Sequence, residues 1–152
     1  MQQSNFGLID IEYIQVSKIH RCTRKLYILA KDGFTELESD FYPCKRYRDI
    51  EEKYQRSFQY CKAHVHKLRY DPRRYSPECR NAATVVKKFI DNNDIEFVLY
   101  KGGTIERDLC EELCIPSYNI ECIPGLEKAN CHNPKKEIRF YFRQLVKFHY
   151  IV

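Results

Sequence analysis

A chain of 152 residues, 43% hydrophobic and 14% aromatic, is expected to fold as one domain over 1–152 with a single core. The composition excludes a low-complexity linker, and no apolar run approaches the length needed to cross a bilayer. A net charge of +5, gathered at Lys45, Arg46 and Arg48, at Arg73–Arg74, at Lys87–Lys88 and at Lys135–Lys136, favours a polyanionic partner, although solvated faces explain each pair alone.

The opening residues MQQSNFGLID lack a basic stretch followed by an apolar one, so no secretion signal is expected and the expected setting is intracellular. FGLIDIEYIQV (6–16) is a nearly continuous apolar run broken by two acids, the pattern of a strand buried on both faces. Strands at 24–30 and 34–43 follow, joined at Asp32-Gly33, and the three together predict an antiparallel meander starting from the central strand. Ile50, Tyr54, Phe58 and Cys61 predict a helix over 47–66, and 69–75 reads as a basic loop broken by Pro72. Ser76 and Pro77 open a helix over 76–94, a strand covers 95–100, and Ile105, Leu109 and Leu113 mark a helix over 105–114 that Pro116 ends. A short strand at 117–123 leads to a last helix capped by Asn133, with Pro134 first and Ile138, Tyr141, Phe142 and Leu145 inward. The order β-β-β-α-α-β-α-β-α predicts an α/β sandwich with a mixed sheet.

Three places in this frame carry acids that could do chemistry. Asp10 and Glu12 stand two apart on the first strand and project from one face among Leu8, Ile9, Ile11 and Ile14. Like charges there need neutralising, pairing or a hard cation, unless that face meets solvent. In KGGTIERDLC a strand ends, two glycines let the backbone turn, and Glu106 and Asp108 follow in a helix start, where the helix dipole alone is an alternative reason for acids. In NCHNPKKEIRF, His132 precedes the last helix and Glu137 follows four intervening residues later. A histidine can serve as general base and a carboxylate as ligand, or the stretch is an ordinary capped helix.

Taken in order, D-x-E on the first strand, an acid opening a helix after a later strand, and H-x4-E opening the last helix resemble the DEDDh group of 3′–5′ exonucleases. The resemblance runs from Leu8 to about Leu145. It implies a ribonuclease H-like mixed five-stranded sheet flanked by helices and a site with two Mg²⁺ or Mn²⁺ ions. By that resemblance Asp10, Glu12, Glu106 and Glu137 are the metal-holding acids, with Asp108 the alternative to Glu106, and His132 is the base that activates water. Glutamate stands where the family has aspartate at two positions, and the segment before His132 is shorter than usual. The substrate implied is RNA or DNA, single-stranded by preference, with Lys101, Arg69, Arg73, Arg74, Lys135 and Lys136 as candidate backbone contacts. Tyr70 and Tyr75 could stack on bases or be ordinary core or surface tyrosines.

Eight cysteines without a secretion signal point to reduced thiols or metal ligands rather than a disulfide framework. The zinc-holding arenavirus nucleoprotein exonuclease and the Maelstrom domain are similar in arrangement. That likeness implies a structural zinc on Cys22 or His20, Cys122 and Cys131, with Cys114 a fourth candidate. The alternative function is a catalytically degenerate domain of the same fold that binds RNA or a protein partner.

Overall fold

The computed structural model describes residues 4–17, 20–40, 77–129 and 133–151. The expected helix over 47–66 and the basic loop over 69–75 lie outside the described residues.

The first strand, β1 (Phe6–Ser17), is the middle of a five-stranded mixed sheet. It pairs antiparallel with β2 (His20–Ala30), which pairs antiparallel with β3 (Glu36–Asp40). On its other edge β1 runs parallel to β4 (Phe97–Tyr100), which pairs in parallel with β5 (Ser117–Asn119). The sheet order is therefore β3-β2-β1-β4-β5, and the meander does start from the central strand. Alternation explains why β1 reads as apolar throughout. Phe6 and Leu8 enter one apolar layer, while Ile9 and Ile11 enter the layer on the opposite face.

Three helices among the described residues flank the sheet. Helix α1 (Pro77–Asn92) places Ala82, Val86, Phe89 and Ile90 on one stripe, and α2 (Thr104–Glu112) does the same with Ile105, Leu109 and Cys110. These side chains pack over Ile9, Ile11, Leu26, Ile28 and Val98, except that Ala82 is simply buried on its helix. Helix α3 (Pro134–Lys147) covers the other face, where Ile138, Tyr141 and Leu145 meet Leu8, Tyr27, Leu29 and Leu99. Full burial of one such aliphatic side chain is worth about 1.5–3 kcal/mol, so the two layers supply most of the drive to close the sheet.

Helix α3 begins as its sequence predicts. The Asn133 side chain accepts from the Lys136 backbone N–H at 3.1 Å, and Pro134 occupies the first turn, where its missing N–H has no partner to lose.

Several boundaries differ from the sequence expectation, each for a local reason. The third strand starts at Glu36 rather than at 34, because the Asp32 carboxylate accepts from the backbone N–H groups of Phe34 and Thr35, both at 2.8 Å, and holds them in the turn. The fourth starts at Phe97, since the Ile95 N–H is spent on Ile90 O at the end of α1. The fifth stops at Asn119, whose side chain accepts from Glu121 N and opens a 3₁₀ turn at Ile120–Cys122. Helices α1 and α2 end early, followed by left-handed residues at Asp94 and Cys114.

Candidate functional site

The parallel pairing of β1 and β4 runs from Phe6↔Phe97 to Ile9↔Tyr100 and then stops. Lys101 N–H still donates to Ile9 O at 3.2 Å, one step past the last strand residue. Gly102, at φ +104°, then turns the chain away into α2, a conformation that a side chain would resist. A longer β4 would have offered the next carbonyl to Ile11 N–H. Instead the Glu106 carboxylate takes that donor at 3.0 Å, from the first turn of α2. The acid thereby extends the ladder where the backbone leaves it.

Asp10 lies between those two β1 residues and projects to the α3 face, by the same alternation that places Leu8 there. It is 5% exposed and shares side-chain hydrogen bonds with both Glu106 and Glu137. Glu137 stands in the first turn of α3 and is 3% exposed; Glu106 is 2% exposed. Three carboxyl groups from three separate elements thus meet at the carboxyl end of the parallel pair. From this pair the chain goes on from β1 to β2 on one side of the sheet and from β4 to β5 on the other, and α/β sheets keep their ligand crevices where connections part in this way.

Carboxylates packed this closely cannot all be charged without compensation. Burial pushes Asp10 well above the ordinary carboxylate range, and its bond to Glu137 and the charge of Glu106 add to the rise. Burial likewise pushes Glu106 up to about 8, against hydrogen bonds from the backbone and from Asp10 that favour its charged form. The compensating cation within reach is Lys101, whose ammonium lies 3.3 Å from Glu137 Oε1. For Lys101 itself, burial opposes the charge, yet Glu137 and Asp10 outweigh it and hold the ammonium above its usual range.

Glu12 lies two residues beyond Asp10, half-buried and opposite Lys25 in the antiparallel register, with a bulge directly after it. Asp108 is turned elsewhere. Two residues on from Glu106 along a helix, its Oδ1 lies 3.4 Å from the Arg107 guanidinium, so Glu106 is the acid that meets Asp10. His132 lies outside the described residues, as do Cys131, Arg69, Arg73 and Arg74. His20 and Cys22 sit on β2, with their side chains beyond description. Of the candidate zinc ligands, Cys122 and Cys114 are exposed free thiols, whereas Cys110, outside that set and also free, is buried and pushed up to about 12 by that burial.

Among the described residues no group of three or more His, Cys, Asp or Glu side chains is arranged to hold a metal ion. The acids are instead engaged with one another, with a backbone N–H and with a lysine. Glu106 spends Oε1 on Ile11 N–H, Glu137 spends Oε1 on Lys101, and Asp10 bonds to both acids. One buried oxygen is left over. Glu106 Oε2 has no hydrogen-bond partner among the described residues, an expensive state for a carboxyl and one that a hard cation would relieve. To that extent the residues fit a divalent ion.

A second feature of the α3 surface was not legible as a site from its sequence. Ala129, Asn133, Lys135, Lys136, Arg139, Phe140, Arg143 and Glu38 line a groove of about 550 Å³. Lys136, Phe140 and Arg143 follow at helical spacing along α3, which is the signal that the cluster Lys135–Lys136 alone did not convey. Arg139 bonds Glu36 at 2.7 Å, and the same carboxylate accepts from the buried Tyr27 hydroxyl. Lys135 reaches Glu36 and Glu38 at 3.6 and 3.4 Å, tying the groove to β3. No helix among the described residues is long and apolar enough to cross a membrane.

No protein-family model matches the chain, and no curated protein matches it in sequence.

Proposed function

We propose that the chain is a metal-dependent 3′–5′ exonuclease of ribonuclease H-like fold, hydrolysing phosphodiester bonds of single-stranded RNA or DNA. The observation that carries the reading is the meeting of buried Asp10, Glu106 and Glu137 at the carboxyl end of the parallel strands, with Glu106 Oε2 unpartnered among the described residues. A soluble fold seldom gathers three carboxyls in its interior unless something cationic belongs among them. The element order and the D-x-E, helix-start acid and H-x4-E spacings support the same reading.

Asp10, Glu12, Glu106 and Glu137 would hold divalent Mg²⁺ or Mn²⁺, which when bound supplies charge neutralisation at a scissile phosphate and acidifies a water. The chain's own contribution is positional. The β1 backbone fixes Asp10, the Ile11 N–H fixes Glu106, and the first turn of α3 fixes Glu137. His132, immediately before α3, is assigned as the base that takes the proton of the attacking water. The groove beside α3 would hold the phosphate backbone through Lys136 and Arg143. A structural zinc on Cys22 or His20, Cys122 and Cys131 is part of the same proposal.

One observation favours a second reading. Lys101 already pairs with Glu137, so the acids are partly neutralised from within, as in a domain that keeps the fold and binds RNA or a protein without cutting. The test is to incubate the chain with 5′-labelled single-stranded RNA and DNA in Mn²⁺ or Mg²⁺, beside Asp10→Asn. The expected result is a ladder shortening from the 3′ end that needs metal and disappears in the variant. A folded wild-type chain that shortens neither polymer would replace the nuclease by the binding domain.

A further inference from the structure

We infer that Lys101 stands in for one of the two cations, so that the acidic site takes a single divalent ion. The inference rests on the nuclease reading above and narrows it.

The argument begins with the charges. The three acids that bond to one another, Asp10, Glu106 and Glu137, bring three negative charges when fully ionised, and Lys101 brings one positive, leaving a deficit that one divalent ion fills, while Glu12, further along β1, stands directly opposite Lys25 and has that lysine for its counter-charge. A second divalent ion would leave this buried cluster positive, unless a bound phosphate came with it.

The oxygens give the same count by an independent route. Glu106 Oε1 is committed to Ile11 N–H, and Glu137 Oε1 is committed to the Lys101 ammonium. What remains for a cation is Glu106 Oε2, which has no partner among the described residues, together with the carboxyl oxygens by which Asp10 and Glu137 bond to each other, which a cation would take over by displacing the proton between them. That is a ligand set for one ion, to be completed by water or a substrate phosphate, as Mg²⁺ commonly is.

Lys101 is also built into place rather than loosely draped. Its backbone N–H is hydrogen-bonded to Ile9 O, in the last step of the ladder, directly before the Gly102 turn. Its ammonium is partly buried, at 24% side-chain exposure, against a carboxylate at 4%. An ammonium is a compact point charge with three donors, suited to neutralise carboxylates where a metal would otherwise sit. In the nuclease reading the same group could also face a phosphate oxygen, so it is a positioning cation whose effect reaches the metal count first.

The measurement is an equilibrium titration of the full chain with Mn²⁺ at neutral pH, counting free Mn²⁺ by electron paramagnetic resonance, on wild type, Lys101→Met and Lys101→Arg. Circular dichroism establishes that each is folded, and Lys101→Gln replaces the methionine variant if that one is not. The expected result is one bound Mn²⁺ per wild-type chain, one in Lys101→Arg, and two in Lys101→Met. Two ions in the wild type would overturn the inference and leave the nuclease reading standing. One ion in both wild type and Lys101→Met, at unchanged affinity, would equally overturn it. A folded wild-type chain that binds no Mn²⁺ would instead remove the metal reading itself, and this inference with it.

Discussion

Burial pushes the Glu106 carboxyl up to about 8, although the Ile11 N–H and Asp10 both bond to it. The consequence for the metal-free chain has a definite sign. In the unfolded state the carboxyl titrates near 4.5, so the folded state binds the extra proton throughout the interval between 4.5 and about 8. Stability is unaffected below that window, falls as pH rises through it and levels off above it. Asp10, also raised, steepens the fall. Glu106→Gln keeps an oxygen for Ile11 N–H and removes the titration. Urea unfolding in the presence of a chelator is therefore expected to show a stability slope between about pH 5.5 and 8.5 that is shallower in the variant, with the gap widest at the alkaline end. Equal slopes in the two proteins would mean that Glu106 does not carry the shared proton. The positions of Asp10 and Glu106 were legible in the sequence, because an acid amid Leu8, Ile9 and Ile11 on a strand is conspicuous, as is an acid behind Gly102-Gly103 at a helix start. The partnership of Lys101 with Glu137 was not. It joins residues 36 apart on different elements, and nothing local in KGGTIE separates a lysine facing nucleic acid from one turned into a carboxylate.

At the level of elements, the hairpin between β2 and β3 concentrates local constraint. Asp32 caps the turn through two backbone N–H groups and the Thr35 hydroxyl, while Gly33 N–H donates to Ala30 O at 3.0 Å. Gly33 sits at φ +78°, and a Cβ there would approach the Phe142 ring of α3 to 2.6 Å. Both effects oppose any side chain, so Gly33→Ala is expected to destabilise the fold by about 1–2 kcal/mol from backbone strain alone. Thermal unfolding checks it, and Gly33→Asn divides the causes. Asparagine tolerates the left-handed region, so an equal loss in that variant would place the cost in the contact with Phe142, and a smaller loss would place it in the backbone. Asp-Gly between two apolar runs announced this turn. The ends of other elements announced themselves less clearly, since Asp94 and Cys114 adopt positive φ where the sequence offers no glycine, and the Asn119 cap that shortens β5 looks like a strand residue in SYNIECI. Strand pairings were easier to foresee. A first strand apolar on both faces fits the centre of a sheet, where β1 lies, and a helix between two strands gives the crossover that a parallel pair such as β4 and β5 needs.

Across the whole molecule, α3 connects the acid cluster to the groove. Its first turn supplies Glu137 to the cluster, and its outer face carries Lys136, Phe140 and Arg143 along the groove. The cations there are not equivalent. Arg139 and Lys135 are engaged by Glu36 and Glu38, whereas Lys136 and Arg143 have no acidic partner among the described residues and remain exposed. If this face carries a nucleic-acid backbone, those two side chains are the ones whose contacts release counterions. The salt dependence of binding then reports them directly, since each phosphate neutralised on a single strand contributes about 0.7 to the slope of log K against log salt. The double variant Lys136→Gln, Arg143→Gln is expected to bind single-stranded RNA more weakly at low salt, with a slope shallower by about 1.4 for two lost contacts. Lys87→Gln with Lys88→Gln removes the same charge from α1, which packs on the opposite face of the sheet, and is expected to leave the slope unchanged. Fluorescence anisotropy of a labelled oligonucleotide over a salt series measures both. Should the α1 pair flatten the slope as much as the α3 pair, the attraction would belong to the net charge of +5 spread over the surface, and the groove would lose its claim to be the binding face.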